Sequence, residues 1–446
     1  MISPSSEQSA LSEHGSFSFS PVMAGNRSWQ VALVLLFVTV FIETSRILDL
    51  FTARGISVLL ILLAVALVVS RRVFAFWQCG AGRVLPFMLA WFLVAYFLSQ
   101  HTALGTFYVT SVLEGAVLFS AACGLLASVS DFKKMLRVLT VAAFLLCILG
   151  VIWSGRVHGR FALRRGPYAD PNYFAMALLG LAPIVWVSFA TKPMWVRICA
   201  TLATALPILL TLGTASRGAF VAILVMLTVL FFLASLKTRV VMASVAVLAV
   251  VVLLAFLPES WRTRLAAAAR VSSLGGNQAV QTADSVSVDS RETLLMTSVN
   301  VTLAYPLLGV GPGNFGPTIA EFGRLQGYNW MDLTTHNSYT QVSSETGIPG
   351  LLLLLAMIGL SIHSVISVLR KTSSDGEHPN PELHRLAAGL LVSLTATCTC
   401  MFFLSEGYGI SNFFWFGLAN GCRLLLPRDA DDEEELVEID PQKAAD

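Results

Sequence analysis

One histidine and a set of arginines are the residues best suited to group-transfer chemistry. His336 lies in the stretch TTHNSYTQVSSETGIPG, which leads into a long apolar run. An imidazole can take a proton from a hydroxyl, and a guanidinium binds phosphate oxygens in bidentate fashion without losing its charge. Each type of residue also has a structural interpretation: a loop hydrogen bond for the histidine and headgroup anchoring for the arginines.

The arginines that fall between the apolar runs on the predicted outer side concentrate mostly in three places along the chain. The first is a loop, the second the start of an apolar run, and the third a long polar segment. Their positions are Arg156, Arg160, Arg164 and Arg165; then Arg217; then Arg262, Arg264, Arg270, Arg291 and Arg324. Arg217 lies in the small-residue string GTASRGAF, where a backbone can approach a ligand closely, so we favour a binding role there. For the arginines between Trp261 and Arg270 we favour headgroup anchoring.

The composition is that of a polytopic membrane protein. The 446 residues are 55% hydrophobic and 13% charged, with a mean hydropathy of +0.73, whereas a soluble chain carries about 25% charged residues. Twelve apolar runs predict about twelve transmembrane helices and an all-α fold, because lipid cannot satisfy free backbone amides. The runs lie near 28 to 44, 55 to 70, 84 to 99, 106 to 127, 134 to 153, 172 to 190, 194 to 212, 218 to 235, 239 to 257, 347 to 368, 386 to 405 and 408 to 426.

The lysines predict the orientation. With a cytoplasmic N-terminus, all six lysines fall on the cytoplasmic side, as the positive-inside bias requires. Both termini are then cytoplasmic, and the histidines on the outer side are His101, His158 and His336. The first 27 residues lack the pattern of a cleaved signal peptide, so the first span is expected to be the insertion signal.

These patterns divide the chain into five segments. We predict a cytoplasmic N-terminal segment at 1–27, helices 1–9 at 28–257, a long outer loop with short helices at 258–346, helices 10–12 at 347–426, and an acidic disordered cytoplasmic tail at 427–446. Function is expected in the long loop, since long ordered loops are uncommon and usually functional. The seven cysteines fall in spans or inner loops, so no outer disulfide is expected.

Four stretches, in order along the chain, resemble the O-antigen ligase and polymerase superfamily of bacterial membrane glycosyltransferases. They are GPYADPNYFA (166 to 175), SRGAF (216 to 220), YPLLGVGPGNF (305 to 315) and HNSYTQVSSETGIPGLLLLL (336 to 355). The ligase pattern of His, a small polar residue, nine positions, Gly and a second small residue fits His336, Asn337, Gly347 and Gly350. Arg291 with Leu295 fits the companion pattern of Arg, three residues and Leu.

The resemblance implies a GT-C-like fold and an O-antigen ligase that works without metal or nucleotide cofactor. Its donor would be an undecaprenyl-diphosphate-linked O-antigen and its acceptor the lipid A core, at the periplasmic face of the bacterial inner membrane. It further implies that His336 lies near the acceptor hydroxyl and that Arg217 and Arg291 bind the donor diphosphate. Direct displacement needs just such a base and a charge sink on opposite faces of the anomeric carbon, so we predict inversion. No nucleic-acid partner is expected.

Further residues receive weaker predictions. Arg160, Arg164 and Arg165 would extend the phosphate site, and Asp170 and Asn172 would orient a guanidinium. Asn337 would cap the helix that follows it, or Thr335 would. Tyr328 and Trp330 would either stack on sugar rings or belong to an interfacial aromatic belt. Glu114, alone within the fourth span, is expected to face the bundle interior.

Three alternatives to a ligase stay open. An O-antigen polymerase or a protein O-oligosaccharyltransferase of the same superfamily would use the same type of donor. A transporter for the lipid-linked saccharide is the alternative from a different class, and twelve spans with an arginine-lined cavity would serve it too. A transporter of this type usually has related halves, whereas the single long loop here has no counterpart.

Overall fold

The protein is an all-α bundle of long apolar helices, as predicted, and a short β-hairpin is present in its described part. The computed structural model describes residues 27–47, 55–157, 160–189, 193–244, 283–325 and 334–427. Its first eight helices are α1 (Arg27–Ser45), α2 (Gly55–Val69), α3 (Gly80–Phe97), α4 (Thr102–Leu125), α5 (Val129–Ile152), α6 (Pro171–Phe189), α7 (Met194–Gly213) and α8 (Arg217–Leu233). The others are α9 (Ala283–Ala304), α10 (Phe315–Leu325), α11 (Ser338–Lys371), α12 (Pro381–Met401) and α13 (Ile410–Arg423).

Eight of the described helices are long and apolar enough to cross a membrane, and two shorter ones are apolar as well. These ten match predicted spans, which confirms a multi-pass membrane protein. The ninth predicted span, near 239 to 257, lies largely outside the described residues. The twelfth corresponds to α13, which has 14 residues and is short of the roughly 20 needed to cross a bilayer. The number twelve therefore stays a prediction.

Apolar side chains occur on both the inner and outer faces of these helices. In α1, Ala32, Leu36 and Val40 are buried while Val31 and Val34 are exposed. A helix that is apolar all round lies between protein and lipid rather than between protein and water.

Polar N-cap residues set where several helices begin: Ser128 precedes α5, Ser216 precedes α8 and Asn380 precedes α12.

The core lies where the helices of the bundle pack together. It contains fully buried Phe119, Phe132, Phe174, Phe413 and Phe416. The closest pairs include α4 with α13, α6 with α7 and α12, and α3 with α11. This packing holds the helix ends that carry the candidate site.

Two segments between the spans have structure of their own. The arginine-rich loop after α5 forms an antiparallel hairpin of β1 (Ser154–Val157) and β2 (Arg160–Leu163), in which Val157 pairs with Arg160. The predicted long loop contains α9 and α10, and α11 begins at Ser338. Non-helical backbone at Gly347 then divides α11, at the boundary that the sequence predicts between loop and span. The acidic tail after Pro427 lies outside the described residues.

Candidate functional site

His336 lies immediately before α11 and has a left-handed backbone, with φ of +52°. This region costs a non-glycine residue about 1 kcal/mol or more, although histidine enters it more readily than most. Two side chains define the geometry on either side. Asn337 caps α11, its Oδ1 accepting hydrogen bonds from the amides of Tyr339 and Thr340 at 2.9 and 3.1 Å. The amide of His336 donates to Ser405 Oγ at 2.8 Å.

Ser405 belongs to the segment Leu404–Tyr408, which is fastened to the start of α11. Ser338 Oγ donates to the Leu404 carbonyl at 2.7 Å and accepts from the Glu406 amide at 2.9 Å. The Gly407 amide donates to Gln341 Oε1 at 3.1 Å. Tyr173 from α6 donates to the Ser405 carbonyl at 3.0 Å. The His336 backbone is therefore linked through Ser405 to Tyr173 of α6, and the segment that holds Ser405 is bonded to the start of α11.

The kink at Gly347 brings the glycine-rich stretch YPLLGVGPGNF against α11. The amides of Val310 and Gly311 donate to the carbonyls of Ser344 and Glu345 at 2.9 Å each, and the Ile348 amide donates to the Pro306 carbonyl at 2.8 Å. Gly347 has φ of +75°, and a Cβ there would lie 1.9 Å from the Leu307 carbonyl oxygen. The glycine is thus required by backbone contact.

Arg217 is the first residue of α8, and its side chain is exposed. Ser216 caps the helix by accepting from the Ala219 amide at 3.3 Å. Gly218 lets α8 approach the segment before Ser405, because a Cβ would lie 2.5 Å from the Phe403 side chain. A cation at the positive end of a helix is unfavourable alone, but together the two create a favourable place for an anion.

Arg160, from β2, links this helix end to the turn before α6. Its Nε donates to the Thr214 carbonyl at 2.9 Å, and its Nη2 donates to Asn172 Oδ1 at 2.6 Å. Asp170 in turn accepts from the Asn172 amide at 2.6 Å. Within the ADPN turn, Asn172 therefore contacts the Arg160 guanidinium, and Asp170 contacts the Asn172 amide.

Arg291 completes the group from α9, and the electrostatic interactions join four of the predicted site residues. Burial, then the charge of Arg217, lowers the pKa of the Arg291 guanidinium, while Asp170 raises it. Burial, then the charge of Arg291, lowers the pKa of His336, and Asp170 again acts in the opposite direction. We name His336, Arg217, Arg291, Arg160 and Asp170 the cationic site.

A lowered pKa leaves the His336 imidazole neutral near pH 7, so it is ready to accept a proton. The half-buried Arg291 presents positive charge to the imidazole, and the exposed Arg217 presents positive charge to Arg291. Together these groups can bind a phosphorylated substrate and deprotonate a hydroxyl next to it.

The remaining predicted residues lie at the edge of the site or outside the described chain. Arg164 and Arg165 are exposed, and Arg164 Nε donates to the Ser154 carbonyl at 3.1 Å across the hairpin. Tyr328 and Trp330 fall outside the described residues, as do Arg262, Arg264 and Arg270. Leu295 is half-buried on α9. Glu114 lines a cavity inside the bundle.

Sequence reasoning missed Ser405, Glu345 and Tyr408. Glu345 is 3% exposed, and its backbone carbonyl accepts from the Gly311 amide at 2.9 Å. A charge in the otherwise uncharged stretch between His336 and Arg370 was a usable signal for Glu345. Ser405 had no such signal, because its partner His336 is 69 residues away in sequence.

One comparison with known proteins identifies the region that holds most of these groups. Residues 202–355 match the family model described as O-antigen ligase. The matched segment, about a third of the chain, contains Arg217, Arg291 and His336 and ends within α11. No curated protein matches the chain.

Proposed function

We propose that the chain transfers polysaccharide from undecaprenyl diphosphate to the lipid A core, a proposal supported by the match of residues 202–355 to the O-antigen ligase family model. The observation that carries this proposal is the cationic site: a histidine with a lowered pKa beside Arg291, which itself interacts with Arg217. A diphosphate leaving group needs this positive charge, and an attacking sugar hydroxyl needs a neutral base.

The reaction is a single displacement at the anomeric carbon of the donor. The acceptor hydroxyl oxygen forms the new glycosidic bond while the bond to the diphosphate oxygen breaks. His336 takes the hydroxyl proton and later releases it to water. The departing undecaprenyl diphosphate carries the electron pair of the broken bond, and Arg217 and Arg291 stabilise its charge. Attack from the face opposite the leaving group inverts the anomeric configuration.

In this mechanism Arg217 and Arg291 neutralise the charge of the leaving diphosphate. We therefore propose that neither metal nor nucleotide takes part. Arg160, held by Asn172 and the Thr214 carbonyl, extends the positive surface on the side of α8. Arg164 and Arg165 lie further out on the hairpin and would contact the more distant anionic groups of the acceptor. Their exposure makes their individual contributions small.

We place the site at the periplasmic face of the bacterial inner membrane. The support is the lysine distribution, which assigns the loops after even-numbered spans and both termini to the cytoplasm. His336, the hairpin and the start of α8 then lie on the outer side. Both substrates are lipid-anchored and are expected to enter from the outer leaflet.

The test is transfer with purified components. The wild-type protein in detergent or nanodiscs, given the lipid-linked polysaccharide and lipid A core in the presence of a chelator, should produce a ladder of modified lipid A core. Elongation of the polyprenyl-linked chain without lipid A core would establish a polymerase instead. Movement of the intact lipid-linked saccharide across a vesicle membrane, with no glycosidic bond formed, would establish a transporter.

A further inference from the structure

A second polar region lies inside the bundle, and Ser405 lines it. It is a cavity of about 470 Å³ lined by parts of α1, α2, α4, α6, α12 and α13 and by the loops between them. This volume lies within the range of small-molecule sites, roughly 300–1,000 Å³. Four tyrosines line it, Tyr108, Tyr168, Tyr173 and Tyr408. We name it the tyrosine cavity.

The polar groups of the tyrosine cavity are carboxylates and hydroxyls. Glu43, Glu114 and Glu406 line it, together with seven serine and threonine side chains. Arg46 also lines it, but Arg46 forms an ion pair with Glu43 and lies over the Tyr168 ring, 5.3 Å from the ring centroid. The charge of Arg46 is therefore already balanced by Glu43, so the cavity has little net positive charge with which to bind a phosphate.

Two hydroxyls in the wall, those of Thr397 and Tyr408, are buried without a hydrogen-bond partner among the described residues. Thr395 and Thr399, on either side in α12, donate to carbonyls one turn back at 2.9 and 2.7 Å. Thr397 lines the tyrosine cavity and is 1% exposed, yet its Oγ1 has no hydrogen-bond partner among the described residues. A buried hydroxyl left without a partner costs about 1–3 kcal/mol, which a bound polar molecule would offset.

The state of Glu406 indicates the chemistry of that molecule. Burial raises the pKa of Glu406 to about 7, with Arg46 acting against the shift and Glu43 adding to it. A substantial fraction of this group is therefore a neutral carboxylic acid near pH 7, which donates as well as accepts hydrogen bonds. Sugar hydroxyls match that pattern. Tyrosine rings provide the flat apolar surface that pyranose faces pack against.

We propose that the tyrosine cavity binds a short uncharged segment of saccharide and delivers it past Ser405 to His336. The inference rests on the proposed function and names a substrate site for it. The segment comes either from the acceptor, as sugars of the core that carry no phosphate, or from the donor, as the sugars of its repeat. Ser405 couples the two regions because it lines the cavity and accepts from the His336 amide.

The test uses a cavity-filling substitution with a matched control. Ala177 on α6 lines the cavity, so Ala177→Phe would place a ring inside it. Ala103 on α4 is exposed and does not line it, so Ala103→Phe adds the same ring to an outer surface. The two probes are dephosphorylated core oligosaccharide and an oligosaccharide of the O-antigen repeat. Saturation-transfer NMR measures their binding without requiring any reaction.

We expect one probe to give a signal with wild type, Ala103→Phe and His336→Ala, and at least a fivefold weaker signal with Ala177→Phe. The probe that binds identifies the source of the segment. Thr397→Val, which keeps the shape and removes only the hydroxyl, should weaken the same signal at least twofold and serves if Ala177→Phe does not fold. Signals that are absent for both probes, or equal in all variants, would overturn the proposal.

The kinetic readout separates this proposal from the proposed function. In the transfer assay, Ala177→Phe should raise the KM of the identified substrate at least tenfold and change kcat less than threefold. If the wild-type protein binds a saccharide but transfers nothing to lipid A core, the proposed saccharide site is supported and the proposed ligase activity is contradicted. If Ala177→Phe transfers polysaccharide with an unchanged KM, the ligase activity is supported and saccharide binding in the tyrosine cavity is contradicted.

Discussion

The cationic site and the tyrosine cavity meet at Ser405 but differ in charge and in construction. The cationic site is assembled from helix ends and turns, with its charge supplied by arginines from β2, α8 and α9. The tyrosine cavity is formed largely by the faces of helices; Arg46 forms an ion pair with its Glu43, and burial raises the pKa of its Glu406. This difference is the basis for the two roles that we propose: phosphate binding at the cationic site and binding of uncharged sugar in the tyrosine cavity.

The largest effect should come from His336→Ala. Loss of the base should lower kcat about 10³-fold, while donor binding stays near wild type because the arginines are untouched. His336→Asn keeps a residue that tolerates the left-handed backbone and should be equally inactive. His101→Ala is the control, since His101 is exposed and caps nothing with its side chain. If both His336 variants remain active, His336 is not the base of this reaction.

Gly347→Ala tests how the cationic site is built. The added Cβ would clash with the Leu307 carbonyl in a backbone that disfavours side chains, so we expect a loss of roughly 3 kcal/mol or more in stability. Gly359→Ala is the control, because nothing lies within 4 Å of a Cβ there, and it should be stabilising by about 0.5–1 kcal/mol. Thermal unfolding in detergent measures both. Equal melting temperatures would refute the role of the kink.

Arg291→Lys tests whether the cationic site uses guanidinium geometry or charge alone. Lysine keeps the charge but not the planar fork, so kcat/KM for the donor should fall about 10- to 100-fold, equal to roughly 1.4–2.7 kcal/mol. Arg137→Lys, at an exposed position on α5, should stay within twofold. Initial rates at varied donor concentration provide the measurement. Wild-type kinetics in Arg291→Lys would show that Arg291 contributes only its positive charge and that the guanidinium geometry is not needed.

The smallest effect concerns pH. Asp170 raises the pKa of His336 against burial and Arg291, so Asp170→Asn should lower that pKa further. Asparagine still accepts from the Asn172 amide, so the turn should persist. Since the neutral imidazole is the active form, activity is lost as pH falls through its pKa, and the acid limb of kcat/KM should move to lower pH. A limb that moves upward would contradict the arrangement.

Much of this architecture could be predicted from sequence, because the signals are local. Apolar runs predict α1 to α8, and Asn337 and Gly347 mark a helix start and a break by their own conformational preferences. The site residues Arg217, Arg291 and His336 came from motifs, and the structure brings them into one electrostatic group.

The rest depends on contacts between distant segments. Ser405 pairs with His336 and Tyr173 across more than 60 residues of chain, and no property of the string LSEGYG predicts that pairing. The β-hairpin escaped prediction because Ser154–Val157 and Arg160–Leu163 are four residues each, too short for a clear period-2 pattern. The tyrosine cavity could not be predicted from the sequence, because the residues that line it belong to helices far apart along the chain.

The most direct test of the central claim is the anomeric configuration of the ligated product. Transfer from a donor of known configuration to lipid A core, followed by NMR of the new glycosidic linkage, reports whether one or two displacements occurred. A single attack with His336 as base and the arginines on the leaving diphosphate predicts the configuration opposite to that of the donor. A product that retains the donor configuration would contradict this mechanism.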